Sequence, residues 1–113
     1  MATLDQQDFE GIRIVRLSGS LTQDSVETLE TAFDEALPDG TRAVINLADV
    51  DLITTPGLTL IIAATKRLRD TRGRVIFTAA RPGVLNMLRR CRLDEVIELA
   101  DDQAQAIETA KTA

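Results

Sequence analysis

The stretch Thr54-Thr55-Pro56-Gly57-Leu58 joins an apolar strand to a helix and is the most informative feature of the chain. Upstream, residues 42–47 form a short apolar run that is typical of a buried strand. Downstream, apolar residues recur at the spacing of a helix. A threonine oxygen can accept from the unpaired amides of a helix start, and proline is favoured at the first helical position. We therefore predict that Thr55 is the N-cap and that Pro56 is the first residue of this helix.

The predicted position of Thr55 makes its hydroxyl a candidate for phosphorylation. A helix N-terminus carries unpaired amides and a partial positive charge, so a phosphate is tolerated there. The alternative is that Thr55 has only a structural role as a helix cap. The residues themselves leave both interpretations open.

Outward from this stretch, hydrophobic periodicity predicts alternating strands and helices, with a break at Ser18-Gly19-Ser20. The predicted strands cover residues 4–9, 12–17, 42–47, 74–78 and 96–99. The predicted helices follow Thr22 and Thr55 and cover residues 82–90 and 103–112, and Arg72-Gly73 ends the second of them. The order β-β-α-β-α-β-α-β-α predicts an α/β fold, with a mixed sheet of four to five strands and helices mostly on one face.

The same periodicity predicts which side chains form the core. Apolar residues of the strands and of the inner helix faces are expected to be buried. They are Phe33, Val44, Ile45, Leu58, Ile61, Ile62, Val75 and Ile76.

Composition predicts one domain over residues 1–113 and excludes several kinds of chemistry. The chain has no His, Trp or Tyr, and Cys91 is its one cysteine. A disulfide within the chain, a Cys/His metal cluster and histidine-based catalysis are therefore excluded. The chain also lacks a phosphate-binding glycine loop and an obvious pair of catalytic carboxylates. We expect no metal, no cofactor and no enzymatic activity.

Charge is distributed unevenly along a chain whose net charge is −5. Residues 66–92 carry nine basic side chains and one acidic one, and both flanking segments are acidic. This basic stretch is either a solvated surface or a docking surface for an acidic protein. Nucleic acid is a poor candidate, because the chain as a whole is acidic and almost lacks aromatic residues for stacking.

Neither a targeting segment nor a membrane span is apparent from the sequence. Residues 1–5 have no basic or apolar targeting region, and the apolar run over 60–64 is far too short to cross a bilayer. We expect a cytoplasmic protein without direct membrane insertion.

Taken in order, the segments resemble the STAS domain of anti-sigma factor antagonists. Residues 17–22, Leu-Ser-Gly-Ser-Leu-Thr, resemble the family's Leu-x-Gly-Glu-Leu-Asp after its second strand. Residues 50–58, Val-Asp-Leu-Ile-Thr-Thr-Pro-Gly-Leu, resemble the signature in which a strand leads to Asp-Ser-Ser-Gly-Leu. Similar matches at Gly73, at 75–77, at 84–85 and over 93–97 extend the resemblance to nearly the whole chain.

The resemblance implies a binding protein that acts as a phosphorylation switch. In this family the unmodified antagonist binds an anti-sigma factor or other regulatory protein kinase, which frees a sigma factor, and the phosphorylated form is released. By position, Thr55 is the implied acceptor and Thr54 is the second choice. The implied partner-binding residues are Leu21, Thr22, Asp51, Thr54, Thr55, Pro56, Gly57 and Thr59.

The chain departs from the family pattern around the acceptor. Thr54 stands where the family has Asp, and Pro56 stands where a second small hydroxyl residue is usual. Ser20 replaces Glu, and Thr22 replaces Asp. One alternative is therefore a STAS scaffold that is not phosphorylated. Another is an accessory subunit of a lipid-transport ABC complex, whose STAS subunit resembles this chain and often has Thr in the same loop.

Overall fold

A five-stranded mixed sheet and four α-helices make up residues 2–112, the part of the chain that the computed structural model describes. The strands are β1 Ala2–Phe9, β2 Ile12–Leu21, β3 Arg42–Ile53, β4 Arg74–Thr78 and β5 Glu98–Ala100. The helices are α1 Gln23–Ala36, α2 Thr55–Asp70, α3 Pro82–Arg90 and α4 Gln103–Lys111. The predicted fold class and element order are confirmed.

Strand pairing follows chain order, β1-β2-β3-β4-β5. β1 and β2 form the predicted antiparallel hairpin, and the other neighbours are parallel. Glu10 and Gly11 join the hairpin with φ values of 52° and 84°, as a two-residue turn with positive φ at both positions requires. Because β2 to β5 are parallel, their carboxyl ends lie along one edge of the sheet, and each of the four helices begins there.

β2 and β3 are longer than the apolar pattern predicted. β2 continues through Ser18-Gly19-Ser20, so the predicted break is wrong. Pairing with β3 survives because β3 has an extra residue at each of two bulges, opposite Arg16 to Ser18 and opposite Gly19 to Ser20. β3 consequently runs to Ile53, and its end lies beside the end of β2.

The last strand begins two residues later than predicted. Leu93–Glu95 forms a 3₁₀ turn, and β5 starts at Glu98 rather than at Val96. The short strand still pairs in parallel with β4.

Two apolar clusters lie on opposite faces of the sheet. The larger cluster packs α1, α2 and α3 against one face, and the smaller one packs Ala106 and Ala110 of α4 against the other. This arrangement confirms helices mostly on one face. Of the predicted core residues, Ile62 is half-buried against the larger cluster, and the other seven are buried.

Helix α2 ends at the predicted place, and Arg72 and Gly73 contribute to its end in different ways. Arg72, not Gly73, has the left-handed conformation, with φ 69°. The amide of Gly73 donates to the carbonyl oxygen of Leu68 at 2.6 Å, which closes the last turn. A Cβ on Gly73 would lie 2.3 Å from the carbonyl oxygen of Thr41. Glycine is therefore required at 73 by the close approach of a neighbouring chain segment.

Arg74 joins β4, β5 and α4 at the amino edge of the sheet. Its Nη2 and Nε donate to the two carboxylate oxygens of Glu98 at 2.6 and 2.8 Å. Its Nη1 donates to the carbonyl oxygen of Thr109 at 3.0 Å. These hydrogen bonds hold the pKa of Glu98 below its ordinary value, because they favour the charged carboxylate.

The lowered pKa of Glu98 predicts a pH-dependent contribution to stability. A folded-state pKa below the unfolded one adds stability above the ordinary glutamate pKa, and this is lost as the pH falls through the folded value. We expect the free energy of unfolding of the native chain to fall towards that of Glu98→Gln as the pH falls from about 5 to below the ordinary glutamate pKa of about 4.3. Urea unfolding of both proteins across this pH range measures the difference between their free energies of unfolding. A difference that stays constant would contradict the prediction.

Ile61 tests the predicted packing of α2. Its side chain is fully buried, so Ile61→Ala should reduce the free energy of unfolding by about 2–5 kcal/mol through lost transfer energy and the cavity left behind. Ile62→Ala is the matched control, because Ile62 is only half-buried and should cost less. Equal losses in urea unfolding would show that the helix packs with a different face.

Candidate partner-binding site

The predicted site residues meet where β2 and β3 end. Leu21 and Ile53 are the last paired residues of the two strands. The amide of Thr54 donates to the carbonyl oxygen of Leu21 at 3.0 Å, and the Thr54 hydroxyl donates to the same oxygen at 3.2 Å. The structure therefore places the residues after β2 directly beside the loop that precedes α2.

The predicted N-cap is wrong by one residue. Thr54 is the N-cap, with extended φ and ψ of −99° and 176°, and its carbonyl oxygen accepts the first helical hydrogen bond from Leu58 at 2.9 Å. Thr55 is the first helical residue and Pro56 is the second. Because the Thr54 hydroxyl is bonded to Leu21, it makes no capping hydrogen bond. The sequence did not predict Thr54 as the N-cap, because it did not predict that β2 extends to Leu21.

The two threonines differ in accessibility. Thr54 is half-buried, and its hydroxyl is engaged with the carbonyl group of Leu21. Thr55 is exposed in the first turn of α2, where the helix dipole is positive. Thr59 is exposed one turn later, and its hydroxyl donates to the carbonyl oxygen of Thr55 at 3.1 Å. Exposure and position favour Thr55 over Thr54 as a site of modification.

Two predicted partner-binding residues lie inside the domain. Leu21 is fully buried, and Gly57 is buried beneath the start of α2. A Cβ on Gly57 would lie 2.5 Å from the carbonyl oxygen of Leu21 and 3.1 Å from a methyl group of Ile53. These two residues fix the height at which α2 starts above the sheet. The exposed or half-buried surface is left to Thr22, Asp51, Thr54, Thr55, Pro56 and Thr59.

Asp51 is exposed but forms an ion pair with Arg81, the N-cap of α3. Arg81 Nη1 lies 2.6 Å from Asp51 Oδ1, and Arg81 Nε donates to the carbonyl oxygen of Ala48 at 2.8 Å. Asn46 Oδ1 accepts from the amide of Ala48 at 2.8 Å, so both backbone polar groups of Ala48, which lies in the first bulge, are hydrogen-bonded. Sequence analysis missed Arg81, because nothing local links the start of α3 to β3.

Leu52 is a second surface residue that sequence analysis missed. Its side chain is 49% exposed although it lies in β3, next to Asp51. The second bulge of β3 interrupts the alternation of the strand, so that Asp51 and Leu52 are both exposed. An exposed leucine next to the Thr55 loop adds apolar area to this edge of the sheet.

The basic stretch does not form one free surface. Three of its members make internal ion pairs: Arg67 with Asp39, Arg74 with Glu98, and Arg81 with Asp51. Lys66, Arg72, Arg89, Arg90 and Arg92 are exposed.

The described residues carry no cluster suited to a metal ion. Over residues 2–112, no group of three or more His, Cys, Asp or Glu side chains is placed to hold one. Within the same range, no helix is both long enough and apolar enough to cross a membrane.

Comparison with known proteins agrees with this architecture. The STAS domain family matches residues 3–106. The chain belongs to the STAS domain family. BtrV of Bordetella bronchiseptica, which carries the name of an anti-sigma factor antagonist, is 26% identical to this STAS protein over 112 residues, 98% of the chain and 95% of BtrV.

Solved structures share the fold at lower sequence identity. An anti-sigma factor antagonist from Mycobacterium paratuberculosis superimposes with a TM-score of 0.89 at 22% identity, covering 99% of this chain and 96% of that one. The Bacillus cell fate determinant SpoIIAA in its phosphorylated form superimposes with a TM-score of 0.70 at 18% identity, covering 96% and 100%. These likenesses confirm the STAS fold.

Gly57 allows a test of how the STAS site is supported. Gly57→Ala should reduce the free energy of unfolding by about 1–3 kcal/mol, because its methyl group would overpack against Leu21. Gly83→Ala is the matched control in α3, where a Cβ meets no atom within 4 Å and alanine should add up to about 1 kcal/mol. Thermal and urea unfolding measure both. Stabilisation by Gly57→Ala would show that α2 is not held against the end of β2.

Proposed function

We propose that this STAS domain is an anti-sigma factor antagonist, which binds a kinase-type anti-sigma factor and is released from it by phosphorylation of Thr55. The exposed Thr55 hydroxyl in the first turn of α2, beside the engaged hydroxyl of Thr54, is the observation that carries the proposal. The names of BtrV and of the Mycobacterium paratuberculosis protein support the antagonist role. The structure of SpoIIAA in its phosphorylated form supports phosphorylation of a domain with this fold.

A phosphate on Thr55 is compatible with the fold. It adds a charge of about −1.5 to −2, and the first turn of α2 offers a positive dipole and amides without helical partners. Asp51 lies on the same edge, but its carboxylate is already paired with Arg81. The effect of the phosphate therefore falls on the partner, because a dianion is costly to desolvate in an interface.

The partner contacts the surface around this hydroxyl. Thr22, Asp51, Thr55, Pro56 and Thr59 supply its polar and half-buried part, and Leu52 supplies apolar area. Leu21 and Gly57 act indirectly, by holding α2 against the end of β2.

A STAS scaffold that is not phosphorylated is the second candidate. The hydrogen bond from the Thr54 hydroxyl to Leu21 favours it, because that side chain is turned into the domain. The family's Asp at this position would offer a carboxylate to orient the acceptor, and Thr54 supplies none. In this case the same surface binds a partner without covalent control.

Phosphate mapping separates the two candidates. The native protein is incubated with its anti-sigma factor kinase and ATP, and modified residues are identified by mass spectrometry. We expect phosphate on Thr55, none on Thr55→Ala, and unchanged modification of Thr59→Ala, the control with another exposed hydroxyl on α2. We also expect Thr55→Ala to bind constitutively and Thr55→Glu to bind at least about tenfold more weakly.

Three results would count against the switch. Phosphate on Thr54 alone would refute the assignment of the acceptor. Intact binding with no phosphate would support the scaffold. A lowered melting temperature of Thr55→Glu would place the effect in folding rather than in the interface, since Thr55 is not the N-cap.

A further inference from the structure

An open groove of about 370 Å³ separates α1 from α2. Val26 of α1 and Pro56, Leu60 and Ala63 of α2 supply its apolar lining, and Glu30 lies on the α1 side. This volume is within the range of about 300–1,000 Å³ found for ligand clefts. A groove between two helices suits an amphipathic helix, whose apolar side chains enter at helical spacing.

Two carboxylates of α1, those of Glu30 and Asp34, line the groove. α1 contains five carboxylates and no basic residue: Asp24, Glu27, Glu30, Asp34 and Glu35. Within residues 2–112, only Asp34 of these five lies near a cation, with 3.8 Å between its Oδ1 and Arg67 Nη2. Several of the carboxylates are three or four residues apart, a spacing at which like charges destabilise a helix. Apart from this contact of Asp34, no ion pair within residues 2–112 offsets the repulsion, and a cationic partner would do so.

The α2 wall carries no charge over residues 55–65. The first cations after it are Lys66 and Arg67. Arg67 is neutralised at the far end of the groove, where Nη1 lies 2.8 Å from Asp39 Oδ1 and Nη2 donates to the carbonyl oxygen of Leu37 at 2.7 Å. The groove therefore combines an apolar lining, an α2 wall without charge over residues 55–65, and the carboxylates of Glu30 and Asp34 on its α1 side.

We propose that the groove between α1 and α2 docks an amphipathic helix of a protein partner, with apolar side chains in the groove and Lys or Arg facing α1. Charge complementarity selects this occupant over an acidic or uncharged helix. Pro56 and Thr59 line the groove and also flank Thr55, so the docked helix reaches the Thr55 loop. The docking itself requires neither a kinase nor a phosphate, and it goes beyond the proposed function.

Two synthetic helical peptides test the proposal. Both carry Leu at helical spacing, and their flanking positions are all Lys in one and all Glu in the other. Fluorescence anisotropy measures their binding to the full chain, and amide chemical shifts locate it. We expect the Lys peptide to bind at least about tenfold more tightly than the Glu peptide, with shifts concentrated at Val26, Glu30, Thr59 and Ala63.

Variants separate groove docking from general attraction to an acidic protein. Ala63→Arg, which places bulk and charge in the groove, and Glu30→Lys should each weaken binding of the Lys peptide at least about tenfold. Glu108→Lys is the matched control, because it makes the same charge change on exposed α4, on the opposite face of the sheet. It should leave binding within about twofold of the native value. Circular dichroism melting establishes that each variant is folded.

Three results would overturn the proposal. One is an equal loss in Glu30→Lys and Glu108→Lys, and another is shifts spread over α4 and β1, because both indicate non-specific attraction. The third is concentration-dependent shifts at the groove without peptide, which would identify a second copy of the chain as the occupant. Because these measurements use no kinase, their failure is distinct from a failure to phosphorylate Thr55.

Discussion

The carbonyl group of Leu21 is the contact on which the site depends. It accepts both the amide and the hydroxyl of Thr54, and the backbone of Gly57 passes so close that no side chain fits between them. The peptide group at the end of β2 thus binds the loop after β3 and determines where α2 begins. The two bulges of β3 make this contact possible, since they let β2 and β3 end together at Leu21 and Ile53. Thr54 is hydrogen-bonded to Leu21 and Gly57 is packed against it, and Thr55 lies exposed between them.

Much of this fold could be predicted from the sequence, because its elements differ in period. The alternation of β1 and β2, the apolar runs of β3 and β4 and the helical spacing of α1 and α2 all respond to burial on a particular face. The errors lie where a distant partner decides. Thr54 rather than Thr55 is the N-cap because its amide and hydroxyl are bonded to the carbonyl group of Leu21. Ser18-Gly19-Ser20 belongs to β2 because the bulges of β3 allow the two strands to remain paired there. Arg81 and Asp51 lie thirty residues apart, and no local pattern connects them.

Three arginines connect different elements of this domain, although the chain as a whole is acidic. Arg67, Arg74 and Arg81 each bind a carboxylate together with a backbone carbonyl group of another element. The planar guanidinium suits such double attachment, because its donors point in fixed directions. These hydrogen bonds add polar attachments between elements to the apolar packing of the two clusters. α1 is different, since four of its five carboxylates have no such partner among the described residues, and its outer surface remains available.

Helix α4 is packed against the sheet through smaller side chains than the helices on the other face. Its fully buried contact with the sheet consists of Ala106 and Ala110, whereas α1 and α2 bury leucine, isoleucine and phenylalanine on the other face. The side chains that α4 itself buries are thus smaller, and we expect its amides to exchange with solvent more readily than those of α1 and α2. Because α4 packs on the opposite face of the sheet, such an opening does not pass through the layer that carries Thr55 and the groove.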